Sequence, residues 1–521
     1  MPRARLSASV EPVSDDSVGE DPVSPEVGGE ETSPSQHREI LRLAVPAFLT
    51  LIAEPLFLLA DTAIVGHLGT ASLAGLGVAS AVLLTTAGIF VFLAYGTTAL
   101  VARQVGAGSR AGAVAAGIDG TWLAIALGVL SGLVIALFAT PLCRAFGASP
   151  AALDEAVTYL RISAAGLPGM LVILATTGVL RGLQDTRTPL VASVLGFASN
   201  VALNVLFVYG LGMGIAGSAL GTVIAQTGMA AALVTVLIRY AAQVHLPLRA
   251  HPGRVLGAAR HGIPLLVRTL ALRAVLVTTV WVAAGLGDVP LAAHQVTATL
   301  WSFLAFALDA LAIAAQALTG KSLGAGDVDG VRSATTLMIR WGVALGVVLG
   351  ALVVGLRFVL PHLFTSDPQV QAAIAAGLLV VGLSQPLSGY VFVIDGVLIG
   401  ADDGRWLAVA SVIVYVLYLP VILLVHRAGS RLLEGSDMWS GPQLAVLQVT
   451  MQGEHIQQAL QIVTPLAHRL VQGFIGVVLQ GTAQQIALVV GNVETSFVFK
   501  HQIDNAVDHA AKTLRRQRAQ G

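Results

Sequence analysis

The sequence holds a single cysteine in 521 residues. Alone, Cys143 can form neither an intrachain disulfide nor a thiolate metal cluster. Charge is scarce as well. Asp, Glu, Lys and Arg make up 11% of the chain, against roughly 25% in an ordinary soluble domain. Lys and Arg number 29, and so do Asp and Glu, so no net charge points to nucleic acid. There is no Walker A loop, no zinc-type histidine spacing and no nucleophile elbow. These absences argue against a soluble domain, a nucleotide-driven pump, a metal centre and the common hydrolases. No catalytic residue and no cofactor is expected, and the chain does not read as an enzyme.

What is present is apolar. Hydrophobic residues make up 55% of the chain and the mean hydropathy is +0.80. Runs of ~20 apolar residues can cross a ~30 Å hydrocarbon core as helices. The 56 glycines suit close packing of membrane helices. Residues 1–40 differ, being rich in Pro, Ser, Asp and Glu. They read as a disordered cytoplasmic tail without the features of a signal peptide.

Eleven spans follow from the apolar runs: 43–66, 74–100, 113–139, 157–180, 188–210, 215–238, 259–285, 291–318, 334–359, 370–398 and 406–426. Basic residues crowd the loops after even-numbered spans. Arg103, Arg110, Arg181, Arg187, Arg239, Arg249, Arg254, Arg260, Lys321, Arg332 and Arg405 lie there, against Arg144, Arg357, Arg427 and Arg431 on the other side. The positive-inside rule then puts the N-terminus and the even loops in the cytoplasm of a multi-pass inner-membrane protein.

The chain also repeats at one ungapped offset of 218. Val45-Pro46 falls on Ile263-Pro264, Arg103 on Lys321, Gly106-Ala107-Gly108 on Gly324-Ala325-Gly326, Pro168 on Pro386, and Asp185 and Arg187 on Asp403 and Arg405. Each half has an even number of spans, so the halves share one orientation and are related by a pseudo-two-fold axis along the membrane normal. The expected fold is an all-α polytopic membrane protein of about 12 helices in two six-helix lobes. Lobe one covers 41–240, a cytoplasmic connector 241–258, and lobe two 259–430. The segment 431–521 diverges, with 13 Gln against 9 over 41–430. Its candidate twelfth span lies near 433–456 or is displaced to 470–490.

Three stretches, Pro55–Gly66 (PLFLLADTAIVG), Arg181–Pro189 (RGLQDTRTP) and Asp395–Asp402 (DGVLIGAD), resemble the multidrug and toxic compound extrusion (MATE) family, and within it the DinF-like branch. The resemblance covers about 40–430. It implies rocking alternating access and export of amphipathic, often cationic, drugs or metabolites in exchange for H⁺ or Na⁺. In the family the acid matching Asp61 is the coupling residue, and positions matching Asn200 and Asn204 line the same cavity. The family often carries Asp where this chain has Asn204, so a two-carboxylate site is not available here.

The residues agree with that reading by a separate route. Intramembrane charges are costly and mark function. Asp61 lies 19 residues past Arg42, or ~28 Å of helical rise, and Asn204 lies 17 past Arg187, or ~25 Å. Asn200 and Asn204, four apart, share a face. One acid and two amides can meet at one depth, and Asp61 is expected to exchange the coupling ion there. In the repeat register Asp61, Asn200 and Asn204 fall on Thr279, Tyr418 and Ile422, so coupling should belong to lobe one alone.

Lobe two carries Arg268, Arg273, Asp309 and Asp395 in its cytoplasmic half. Read blandly, they form a mutually neutralised network; read sharply, a gate or a substrate contact. Glu54 has the depth to meet Arg273, or else Arg268, across the lobes, and pairing of Arg273 with Asp309 or Asp395 competes with that contact. The expected partners are a small organic substrate and the lipid bilayer, for a monomer. The competing function is a lipid-linked sugar flippase of the related superfamily.

Overall fold

A computed structural model describes residues 34–433, and the structural statements below concern those residues. The amino-terminal tail before residue 34, and the expected twelfth span, lie outside them. Lobe one contains α1 (Pro34–Gly66), α2 (Thr70–Phe90), α3 (Phe92–Gly106), α4 (Arg110–Leu137), α5 (Ala139–Ala145), α6 (Leu153–Ala164), α7 (Leu167–Gly182), α8 (Arg187–Val205, extended by a π turn to Gly210) and α9 (Gly214–Gln243). Lobe two contains α10 (Pro252–Gly285), α11 (Asp288–Ala325), α12 (Val328–Leu356), α13 (Pro368–Gly400) and α14 (Gly404–Leu433).

Ten of these stretches are long and apolar enough to cross a membrane, or eleven when the bent pair α6–α7 counts as one. The eleven spans expected from the apolar runs are therefore present, with two local differences. The second span is two helices, α2 and α3, joined at Val91. The fourth bends by 52° between α6 and α7. Pro168, in the first turn of α7, has no N–H to give the Ala164 carbonyl, which ends α6. α1 runs unbroken through Pro46 and Pro55.

Helix contacts rest on glycine, which lets backbones approach where no apolar driving force separates lipid from protein. The repeat is visible in these contacts. A Cβ at Gly128 of α4 would lie 2.5 Å from Pro168 Cα, and one at Gly346 of α12 would lie 2.9 Å from Pro386 Cα. Gly132 faces the Ala164 carbonyl, as Gly350 faces the Gly382 carbonyl. In each case the second pair is the first displaced by 218. α12 and α13 interlock closely, and a Cβ on Gly342 would sit 2.5 Å from Gly389 O. Gly342→Leu is expected to cost about 1–3 kcal/mol by overpacking, read as a lower melting temperature in detergent.

The lobes meet along α3 and α11. Gly106 of α3 abuts the Lys321 carbonyl, and Gly324 of α11 abuts the Arg103 carbonyl. Gln316 Nε2 donates to the Tyr95 carbonyl at 2.5 Å. At the end of the bundle carrying the basic loops, the basic end, two clamps close this seam. Arg103 reaches Asp402 Oδ2 at 3.4 Å and the Ala401 carbonyl in the α13–α14 turn. Lys321 Nζ reaches Gln184 Oε1 at 3.1 Å in the α7–α8 turn, and Glu39 Oε1 at 3.0 Å. The clamps are related by the repeat: 103 + 218 = 321 and 184 + 218 = 402. Gln184 and Asp402 even share a left-handed backbone, with φ of 64° and 61°, an uncommon conformation for residues other than glycine.

Candidate functional site

Asp61 lies on α1, 2% exposed, in a pocket closed by α6, α8 and α9. Asn204 of α8 donates through Nδ2 to Asp61 Oδ1 and also lies 3.2 Å from Asn200 Oδ1. Tyr159 Oη on α6 and Thr222 Oγ1 on α9 each lie 3.4 Å from Asp61 Oδ2. Asn200 Nδ2 donates to Thr222 Oγ1 at 2.9 Å. Both asparagines are fully buried. Asn200 and Asn204 reach the pocket because the helical period stacks residues four apart.

The donors suit a carboxylate, which is acceptor-only when ionised. The pocket can also hold the acid. Asn204 Oδ1 is buried and has no hydrogen-bond partner among the described residues. A carboxamide presents a donor and an acceptor side by side. Asn204 can therefore donate to the anion or accept from the protonated carboxyl.

Tyr159 and Thr222 complete the pocket, and neither stands out in the sequence. Tyr159 falls on Gly377 in the repeat register, so a polar position without a counterpart is the available signal. Lobe two replaces the pocket with a neutral contact, Thr279 Oγ1 to Tyr418 Oη at 2.7 Å, beside the fully buried Ile422. His/Cys/Asp/Glu clusters able to hold a metal are absent among the described residues.

The second polar cluster lies at the seam. Arg268 of α10 pairs with Asp395 of α13 at 2.5 Å, with side chains 7% and 17% exposed. Asp309 of α11 lies within the electrostatic reach of Arg181 of α7, Asp395 and Arg268, as does Tyr95 of α3. Tyr95 and Arg181, which sequence reasoning does not place in the cluster, bring lobe one into this network. Arg181 reads as a loop base in the sequence but is 8% exposed.

Arg273 does not join the network. It is exposed, and its guanidinium lies against Gly88 of α2. The expected pairing of Arg273 with Asp309 or Asp395 is thus replaced by the Arg268–Asp395 pair. The reason is angular: residues five apart on a helix point about 140° from one another. The Glu54 side chain, and with it the expected Glu54 contact, lies outside the described residues.

Comparison with known proteins follows the same division of the chain. The MatE family model matches residues 46–206 and 264–424. The two matches are separated by the repeat offset, 264 − 46 = 218 and 424 − 206 = 218. Protein DETOXIFICATION 44, chloroplastic, of Arabidopsis thaliana is 33% identical over 395 residues, 72% of this chain and 74% of that protein. The DNA damage-inducible protein F of Escherichia coli is 32% identical over 390 residues, 70% of this chain and 81% of that one. A probable multidrug resistance protein NorM of Pseudomonas aeruginosa is 31% identical over 346 residues, covering 64% and 69%. Among solved structures, the Vibrio cholerae MATE transporter VcmN in the bent form shares the fold with a TM-score of 0.71 at 20% identity, over 82% of this chain and 95% of that one. The two lobes, the repeat register and these relatives converge: the chain belongs to the MatE family of multidrug and toxic compound efflux transporters.

Proposed function

We propose that this protein is a secondary active exporter that moves amphipathic, cationic small molecules out of the cell in exchange for H⁺ entering, by rocking of the lobes about the α3–α11 seam. The observation that carries the reading is the Asp61 pocket. It holds one carboxyl, three donors aimed at it, and an amide that can serve both protonation states. H⁺ is the reading we take because Asn204 can bond either protonation state of Asp61. Moving a carboxyl through a low-dielectric lobe is cheapest when a proton neutralises it.

The names of the multidrug-resistance and detoxification relatives support a small organic substrate. The basic loops support an N-terminus on the cytoplasmic side of the inner membrane. We place lobe one at 41–240 and lobe two at 259–430, joined through 241–258, in a monomer. The structure then corresponds to a state closed at the cytoplasmic, basic end.

The test is efflux of ethidium from proteoliposomes with ΔpH and ΔNa⁺ imposed separately. ΔpH alone should drive it. Efflux driven by ΔNa⁺ and not by ΔpH would overturn H⁺ coupling, and no efflux under either gradient would overturn the exporter.

The clamps give a second expectation. Arg103→Ala with Lys321→Ala removes two partly exposed contacts of about 1 kcal/mol each, so the closed-to-open ratio should fall roughly fivefold per clamp. Hydrogen exchange at the basic ends of α3 and α11 should accelerate accordingly. Unchanged exchange would show that the glycine packing alone holds the seam.

A further inference from the structure

Between Asp185 and Asp288 the sequence has no acidic residue, while Arg239, Arg249, Arg254 and Arg260 follow one another through the end of α9, the connector and the start of α10. The connector passes beside α4. Trp122 Nε1 donates to the Leu248 carbonyl at 2.9 Å, and Arg254 Nε meets Asp119 Oδ2 at 3.0 Å. Asp119, Trp122, Leu123 and Ala126 share one face of α4, because helical residues three and four apart are neighbours. Trp122, Leu123 and Ala126 form one wall of a groove of about 370 Å³, and Val255, Leu256 and Ala259 of α10 form the other. Trp122 and Leu256 remain 40% and 53% exposed, so the groove is open to the surroundings of the bundle.

The rim of this apolar groove is basic. Arg249 and Arg260 are exposed and make no ion pair among the described residues. Arg260 lies four residues beyond Leu256, on the same face of α10. Arg254 is shared between Asp119 and His251 Nδ1, yet its side chain is 52% exposed, against 6% for Asp119. The backbone from 244 to 251 is irregular, and irregular backbone facing lipid does not occur within hydrocarbon. An exposed tryptophan with its N–H engaged suits the membrane–water interface. The basic rim therefore lies at headgroup level, with the apolar walls beside it.

We propose that this groove binds an anionic phospholipid from the leaflet at the basic end. One acyl chain lies between α4 and α10, and the phosphate sits against Arg249, Arg254 and Arg260. An acyl chain removes the apolar walls from water. Three arginines face one carboxylate, an excess of two positive charges that an anionic headgroup neutralises and a zwitterionic one does not. Guanidinium groups also match phosphate oxygens in bidentate geometry. One wall belongs to lobe one and the other leads into lobe two, so the bound lipid braces the connector against α4. The inference depends on neither the coupling ion nor the exported compound.

The test uses the full chain in nanodiscs of phosphatidylcholine and phosphatidylglycerol, with brominated acyl chains on one lipid at a time. Bromine quenches nearby tryptophan, and the difference between the parent and Trp122→Phe isolates Trp122. At equal mole fraction, brominated phosphatidylglycerol should quench Trp122 more strongly than brominated phosphatidylcholine. In Arg249→Gln and in Arg260→Gln, neither of which breaks an ion pair among the described residues, the fraction of phosphatidylglycerol needed for half-maximal quenching should rise about fivefold. Equal quenching by the two lipids would overturn the proposal in favour of an apolar groove without headgroup selection. Absence of quenching by either would assign the groove to another occupant, such as the acidic amino-terminal residues, and would overturn it as well. So would a preference for phosphatidylglycerol that both arginine variants leave unchanged.

Discussion

Asp61→Asn should reduce ΔpH-driven ethidium efflux to the level of protein-free liposomes, with expression and monodispersity close to the parent's. The substitution is nearly isosteric and keeps an oxygen where Tyr159 and Thr222 approach. What it removes is the ability to lose a proton. The new carboxamide would also place an N–H₂ close to Asn204 Nδ2, a clash that relaxes if the Asn204 amide turns over, since its Oδ1 lacks a partner among the described residues. The fold is therefore retained and the coupling is lost. Asn204→Leu should give a different result: the pocket loses the group that can serve both states, and efflux should become confined to a narrower pH range. Full efflux by Asp61→Asn would remove Asp61 from the mechanism.

Arg268→Leu should destabilise the protein more than the clamp or glycine substitutions do. It leaves Asp395 at the seam without its cation, and breaking a buried pair in this way costs about 3–5 kcal/mol. The double change Arg268→Leu with Asp395→Leu removes both charges and should recover most of that loss, because the pair itself contributes little beyond neutralising its own burial. Melting temperatures in detergent for the parent, the two single variants and the double variant form the cycle. Additive losses would mean that the two side chains do not depend on one another, contrary to the 2.5 Å contact.

Much of this architecture is legible in the residues alone. Apolar runs define the spans, and the offset of 218 defines two lobes of one orientation, because membrane helices must satisfy their backbones internally and leave few alternatives. Asp61, Asn200 and Asn204 can be placed together by counting rise along two helices. Tyr159 and Thr222 cannot, since their approach depends on how α6 and α9 pack and no periodicity records that. Arg181 illustrates the opposite failure. At the last turn of α7 it reads as a loop base, yet it is buried at the seam beside α3 and α11. The choice between Arg268 and Arg273 turns on helix rotation, which residue counts along the axis do not specify. The α6–α7 bend has its signal in Gly166 and Pro168, but the equivalent Pro386 sits inside an unbroken α13, so proline alone does not decide it.

The paired clamps at the basic end carry a mechanical consequence. Two bolts placed symmetrically about an axis oppose separation equally on both sides and exert no net torque. A lobe that tried to swing on one clamp as a hinge would have to stretch the other, so partial opening gains little. Both contacts must release within one stroke, and their strengths add in the barrier to that stroke rather than acting in sequence. Duplication of the half-length chain thus supplied more than a second bundle: it supplied a balanced closure that behaves as a toggle.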